Sequence, residues 1–136
     1  MKKQIKIELD KLIEKADQDE DILAVFLFGS SVREKETSKS DVDICLIMNP
    51  ETQAAHRKKL INSQKRLDYL KDFLFDIHIF QQLPLYIRKR ILQEGKILFV
   101  RDEDMIYEVA FRTAQAYEDF KHIYQDYLKE IADVGS

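Results

Sequence analysis

Gly29-Ser30 and Asp41-Val42-Asp43, ten residues apart, are the groups whose types and spacing suit phosphate chemistry. They stand in the run ILAVFLFGS, SVREKETSKS, DVDICLIM. A strand puts residues i and i+2 on one face, so Asp41 and Asp43 are expected to aim their carboxylates the same way. Two neighbouring carboxylates repel unless a cation sits between them. Oxygen donors of this kind suit Mg²⁺, which takes one or two carboxylates and completes its shell with water and substrate phosphates. Glycine lets the backbone approach a phosphate closely. The start of a following helix offers unpaired N–H groups to the same anion.

The elements that must hold these groups follow from hydrophobic spacing. Ile5, Leu9, Leu12, Ile13 and Ala16 recur at helical intervals and predict a first amphipathic helix. Asp17 to Asp21 is an acidic break, and Ile22 to Phe28 is a continuous apolar run expected to be a central strand. A short helix or turn is expected from Ser30 to about Glu36, then a polar loop to Ser40. Val42 to Met48 predicts the second strand. Pro50 is suited to open a helix over 51–70 whose basic face carries Arg57, Lys58, Lys59, Lys65 and Arg66, read as a solvated surface. Phe73 to Phe80 predicts a third strand, with Asp76 and His78 on one face. Pro84 opens a helix over Leu85 to Glu94, ended by Gly95 as a left-handed cap, and Lys96 to Val100 is a last strand. From Glu103 to Ile131 one helical stripe holds Ile106, Val109, Ala110, Thr113, Tyr117, Phe120, Tyr124, Tyr127 and Ile131. The order predicts an α/β fold, a small sheet flanked by helices with a carboxy-terminal helix.

At 136 residues the chain is expected to be a single domain, 1–136, with its core at about 20–100 and the last helix at about 103–131. A hydrophobic share of 45% with 35% charged residues is an ordinary globular balance. No apolar run is long enough to span a bilayer, and MKKQIKIELDK lacks the apolar stretch of a signal peptide, so no membrane and a cytoplasmic location are expected. Cys45 is the single cysteine, which excludes an internal disulfide; it reads as a small buried hydrophobe. A net charge of −3 argues against a general nucleic-acid binder.

The Gly-Ser turn followed at ten residues by DxD resembles the signature of nucleotidyltransferases related to DNA polymerase beta, and the size resembles their minimal nucleotidyltransferase branch. The resemblance covers about residues 20 to 100 by motif and element order. It implies a mixed sheet and transfer of a nucleotide to a hydroxyl with loss of pyrophosphate. Asp41 and Asp43 would hold two Mg²⁺ ions about 3.5–4 Å apart. Asp76, the one acid inside FLFDIHIF, matches the family's third carboxylate, which completes the catalytic metal site. Ser30 would donate its hydroxyl to the triphosphate, Gly29 would keep the turn open, and Arg33 matches an arginine that pairs with the triphosphate. Glu34 departs from the pattern, since a small residue or glycine follows the arginine in many relatives. His78 shares a face with Asp76, where it either reaches the nucleotide or faces solvent.

Minimal nucleotidyltransferases are typically paired with a HEPN-domain toxin. The resemblance therefore implies an antitoxin that moves AMP from ATP to a tyrosine of that toxin. Two alternatives stay open: a non-catalytic module that silences its partner by contact, and transfer to a small molecule such as an aminoglycoside. The last helix has more aromatics than one stripe needs, and aromatics are enriched at interface cores. Ile106, Val109 and Phe120 are expected to pack on the sheet, leaving Tyr124 and Tyr127 for a partner.

Overall fold

A computed structural model describes residues 3–29, 38–53 and 58–134. Helix α1 (Lys3–Asp17) buries Ile5, Leu9, Leu12 and Ala16, a stripe set by the 3.6-residue period. The apolar run after it forms β1 (Ile22–Phe28), all but its last residue buried. Strand β2 (Asp43–Met48) pairs antiparallel with β1. Helix α2 (Lys58–Asp72) then leads to β3 (Asp76–Ile79), which runs parallel to β2. Helix α3 (Leu85–Glu94) and β4 (Lys96–Val100) follow, with β4 antiparallel to β1, giving the sheet order β3-β2-β1-β4. Helix α4 (Glu103–Val134) ends the described chain, its first turn capped by Asp102 Oδ1, which accepts from Met105 N at 3.1 Å.

Side chains alternate across the sheet and make two cores. On one face Val25, Leu27, Ile44, Leu46, Ile77 and Ile79 pack with α1, with Tyr69 of α2 and with Phe73 just past it. On the other, Phe26, Cys45 and Ile47 meet Phe80, Ile91 of α3 and Ile106 of α4. Cys45 is fully buried, as its place in an apolar strand predicts, and burial pushes its thiol far up from the usual range. No helix among the described residues is long and apolar enough to cross a membrane.

Several local expectations are corrected, each for a physical reason. Pro50 does not open a helix. Asn49 Oδ1 accepts from Glu51 N at 3.1 Å and Asn49 O from Thr52 N at 3.3 Å, so Pro50 sits in a turn, and the described part of α2 runs from Lys58. The third strand is half its predicted length. Phe73 N still bonds Tyr69 O of α2, and the rings of Tyr69, Phe73 and Phe75 stack in series, so pairing begins only at Asp76. Gly95 is extended, with φ −69° and ψ 154°, rather than left-handed. It is glycine because a Cβ there would lie 2.5 Å from Ile91 O and 3.1 Å from the Phe26 ring. Phe120 does not pack on the sheet; it is exposed on α4, stacked on Tyr124.

Lys65 and Arg66 are not a solvated face either. Lys65 Nζ donates to Asp19 Oδ2 and Asp21 Oδ2, each at 3.0 Å, and Tyr69 Oη donates to the same Asp19 oxygen at 3.0 Å. Arg66 Nε donates to Ile77 O of β3 at 2.8 Å. The acidic break before β1 is thereby tied to α2. Arg101, just past β4, donates from Nη2 to Ala16 O at 2.7 Å and Asp17 O at 3.0 Å, and from Nε to Ile22 O at 2.9 Å, tying the end of α1 and the start of β1 to the end of β4. Gln81 extends the edge of β2 beyond β3, accepting from Met48 N and donating to Met48 O, both at 3.1 Å.

Replacing Gly95 with alanine forces the α3–β4 junction away from β1, and is expected to cost about 1–3 kcal/mol. A urea midpoint for Gly95→Ala that matches the parent would contradict this packing.

Candidate active site

The parallel pairing of β2 with β3 starts at Asp43 opposite Asp76, and Cys45 stands opposite His78. On the other side of β2, Phe28 of β1 stands opposite Asp43. Phe28, Asp43 and Asp76 thus form one row across three strands. The alternation that sends Ile44 and Ile77 into the α1–α2 core sends Asp43, Asp76 and His78 to the opposite face. One donor atom from each of these three residues lies within 4.8 Å of the other two. His78 Nε2 is 3.1 Å from Asp76 Oδ2. The Phe28 ring meets the imidazole edge-on, with centroids 5.6 Å apart and planes at 71°.

Gly29 follows β1 directly at φ +68°, a left-handed conformation that only glycine adopts without strain. A Cβ there would come within 2.5 Å of Asp43 Oδ2. The turn therefore lies against the Asp43 carboxylate, joining the Gly-Ser segment to the acidic pair. Ser30, Arg33 and Glu34 lie outside the described residues.

Asp41 and Asp43 are not on one strand. Asp41 ends a 3₁₀ turn, Lys39–Asp41, and β2 starts two residues later. Asp41 Oδ2 accepts from Ser38 N at 3.2 Å and from Ser38 Oγ at 3.0 Å. The reason is local: a carboxylate at the end of so short a turn can satisfy the donors at its start. The neighbour that β-pairing gives to Asp43 is Asp76, which is 33 residues away in sequence. Spacing alone gives His78 its face, two residues from Asp76; its contacts with Asp76 and Phe28 need the strand register.

Burial, and then the hydrogen bond and charge of Asp76, push Asp43 up to about 6; Asp41 adds to the effect and His78 opposes it. Two carboxyls this close cannot both ionise at the ordinary cost. A divalent cation among them would remove that conflict. The donor set fits one: two carboxylates and a ring nitrogen on adjacent strands, partly exposed to solvent, from which water and phosphate oxygens would complete the shell.

Residues 10–104 match the family described as Polymerase beta, Nucleotidyltransferase. A protein of Methanocaldococcus jannaschii named as a protein adenylyltransferase is 27% identical over 113 residues, covering 82% of this chain and 77% of that protein. Among solved structures, a chain of a toxin–antitoxin complex with AMP-PNP superposes with a TM-score of 0.58 at 18% identity, covering 91% of this chain and 95% of its own. A chain of the complex between a tri-AMPylated Shewanella oneidensis HEPN toxin and its MNT antitoxin gives a TM-score of 0.56 at 18% identity, covering 93% and 98%. At these identities the structural likenesses show the shared fold.

A carboxyl whose folded pKa lies above its unfolded value of 3.8 binds its proton more readily in the folded state. Its contribution to stability therefore falls as the pH rises from about 4 to about 6, and levels off above that. In buffer with a chelator, the melting temperature of Asp43→Asn minus that of the parent is expected to grow across this window. A difference that is flat with pH would remove the strained-pair description.

Proposed function

The chain belongs to the polymerase beta nucleotidyltransferase family, and on that premise we propose that it is a protein adenylyltransferase that moves AMP from ATP to a tyrosine hydroxyl of a HEPN-domain toxin. The observation that carries the reading is the register of β2 and β3. It sets Asp43 beside Asp76 with the Gly29 turn against Asp43, which supports a reading in which the groups that would bind metal and phosphate share one sheet end.

In this proposal the tyrosine oxygen attacks the α-phosphorus of ATP in line with the leaving pyrophosphate. The bond from oxygen to α-phosphorus forms as the α–β phosphoanhydride bond breaks. Asp76, with Asp43, would hold Mg²⁺ at this sheet end, and Asp41 would reach it from the turn before β2. Bound there, Mg²⁺ supplies the charge that offsets the triphosphate and lowers the pKa of the attacking hydroxyl. Asp76 then accepts the hydroxyl proton and passes it to water. Gly29 leaves its backbone open to the phosphates, Ser30 donates to a β- or γ-phosphate oxygen, and Arg33 pairs with the triphosphate. Positioning and fixed charge carry the catalysis, since the transfer needs no covalent intermediate on the protein.

The relatives named as toxin–antitoxin complexes support the choice of acceptor, as does the name of the Methanocaldococcus protein. The outer part of α4 supports a protein partner. Phe120, Ile123, Tyr124, Tyr127, Leu128 and Ile131 are all exposed there, whereas Ile106 and Thr113 nearer its start are buried. A helix end this apolar is suited to cover by another chain.

Mixed with its HEPN partner, ATP and Mg²⁺, the chain is expected to add one or more AMP groups to the partner, seen as a mass gain. Asp43→Asn and Asp76→Asn are each expected to slow this by more than about 100-fold while leaving the circular dichroism unchanged. Labelling at the parent rate by either variant would sink the assignment of the carboxylates. Tyr124→Asp with Tyr127→Asp is expected to weaken capture of the partner by about 10-fold or more, with binding of ATP unchanged. Full-strength capture would move the contact surface elsewhere.

A further inference from the structure

His78 is the one member of the three-residue cluster that brings nitrogen to an otherwise all-oxygen site. Its Nε2 stands 3.1 Å from Asp76 Oδ2. Adjacent donors on an octahedral dication with bonds of about 2.1 Å are about 3.0 Å apart, so the two atoms already have the separation of neighbouring vertices. The imidazole is also held in place. Phe28 covers it edge-on, and His78 sits mid-strand in β3, between the buried Ile77 and Ile79. A ring fixed by strand and aromatic neighbours loses little freedom when it binds a metal.

A ring nitrogen changes which ion such a site prefers. Carboxylates and water suit Mg²⁺ and Mn²⁺ alike, whereas imidazole favours first-row transition ions. Mn²⁺ accepts both donor types and keeps the octahedral, phosphate-compatible shell that the transfer needs. We propose that His78 Nε2 joins Asp43 and Asp76 in the metal's coordination shell, so that this site binds Mn²⁺ in preference to Mg²⁺. The inference rests on the carboxylate metal site proposed above and adds a ligand and an ion preference to it.

The test uses the full chain without nucleotide, titrated with Mn²⁺ alone or with Mg²⁺ alone. Calorimetry reads affinity, and pulsed electron paramagnetic resonance of bound Mn²⁺ reads nitrogen coupling. The parent chain is expected to bind Mn²⁺ more tightly than Mg²⁺ and to show the coupling of one imidazole nitrogen. His78→Gln is expected to lose that coupling and about 10–100-fold of Mn²⁺ affinity, with a much smaller change for Mg²⁺. Its melting temperature reports that the fold is intact. Mn²⁺ binding that is abolished by Asp43→Asn or Asp76→Asn, yet shows no nitrogen coupling in the parent, would make His78 only a hydrogen-bond partner of Asp76. That result overturns the inference and leaves the carboxylate site standing. Mn²⁺ binding indifferent to both aspartate variants would overturn the site and the inference together.

Discussion

The enforced closeness of Asp43 and Asp76 is the constraint around which this end of the molecule is organised. Two strands running in parallel put the carboxyls at matching positions, and hydrogen bonds further along the ladder keep them there. The conflict between them is local, but the force that maintains it is not. Ile44, Leu46, Ile77 and Ile79 alternate with the residues of the acidic face and are buried on the far side of the same strands. Separating the acids would mean withdrawing those side chains from the α1–α2 core. Each buried aliphatic side chain is worth about 1.5–3 kcal/mol, enough to hold a pair of like charges in register.

The neighbouring turn obeys the same geometry. Gly29 takes a left-handed conformation and leaves space where any side chain would strike Asp43. The glycine is therefore a requirement of the acidic pair itself. A larger residue would be excluded even if no nucleotide ever bound.

Much of this architecture was legible in the sequence, and the failures have identifiable sources. β1, α3 and β4 fall on the predicted residues, because an unbroken apolar run and a Pro–Gly pair mark their ends unambiguously. The mixed strand directions came from the resemblance to a family, since periodicity carries no information on strand direction. The misread boundaries all lie where a distant or local hydrogen bond competes with propensity. Asn49 holds Pro50 in a turn, Phe73 remains bonded to α2, and Ser38 occupies Asp41. Gly29 and Asp43 meet as their motif suggests, while Ser30 and Arg33 lie outside the described residues. The pairing of Asp76 with Asp43 is set by strand register, which one sequence does not encode in its spacing. The salt-bridged Lys65 looked like ordinary surface charge for the same reason: Asp19 and Asp21 are more than forty positions away.

Arg101 joins ends of the fold that the chain makes far apart in time. Its guanidinium takes up carbonyl oxygens of residues 16, 17 and 22, more than 75 positions upstream. During synthesis the amino-terminal helix emerges early, yet the guanidinium that ties its last turn to β1 arrives only when residue 101 has left the ribosome. Contacts of such long range are slow to form and leave partly assembled chains exposed to misassociation. The nascent protein is thus expected to acquire its full resistance to proteolysis in one late step, when β4 inserts beside β1, rather than gradually as each helix appears.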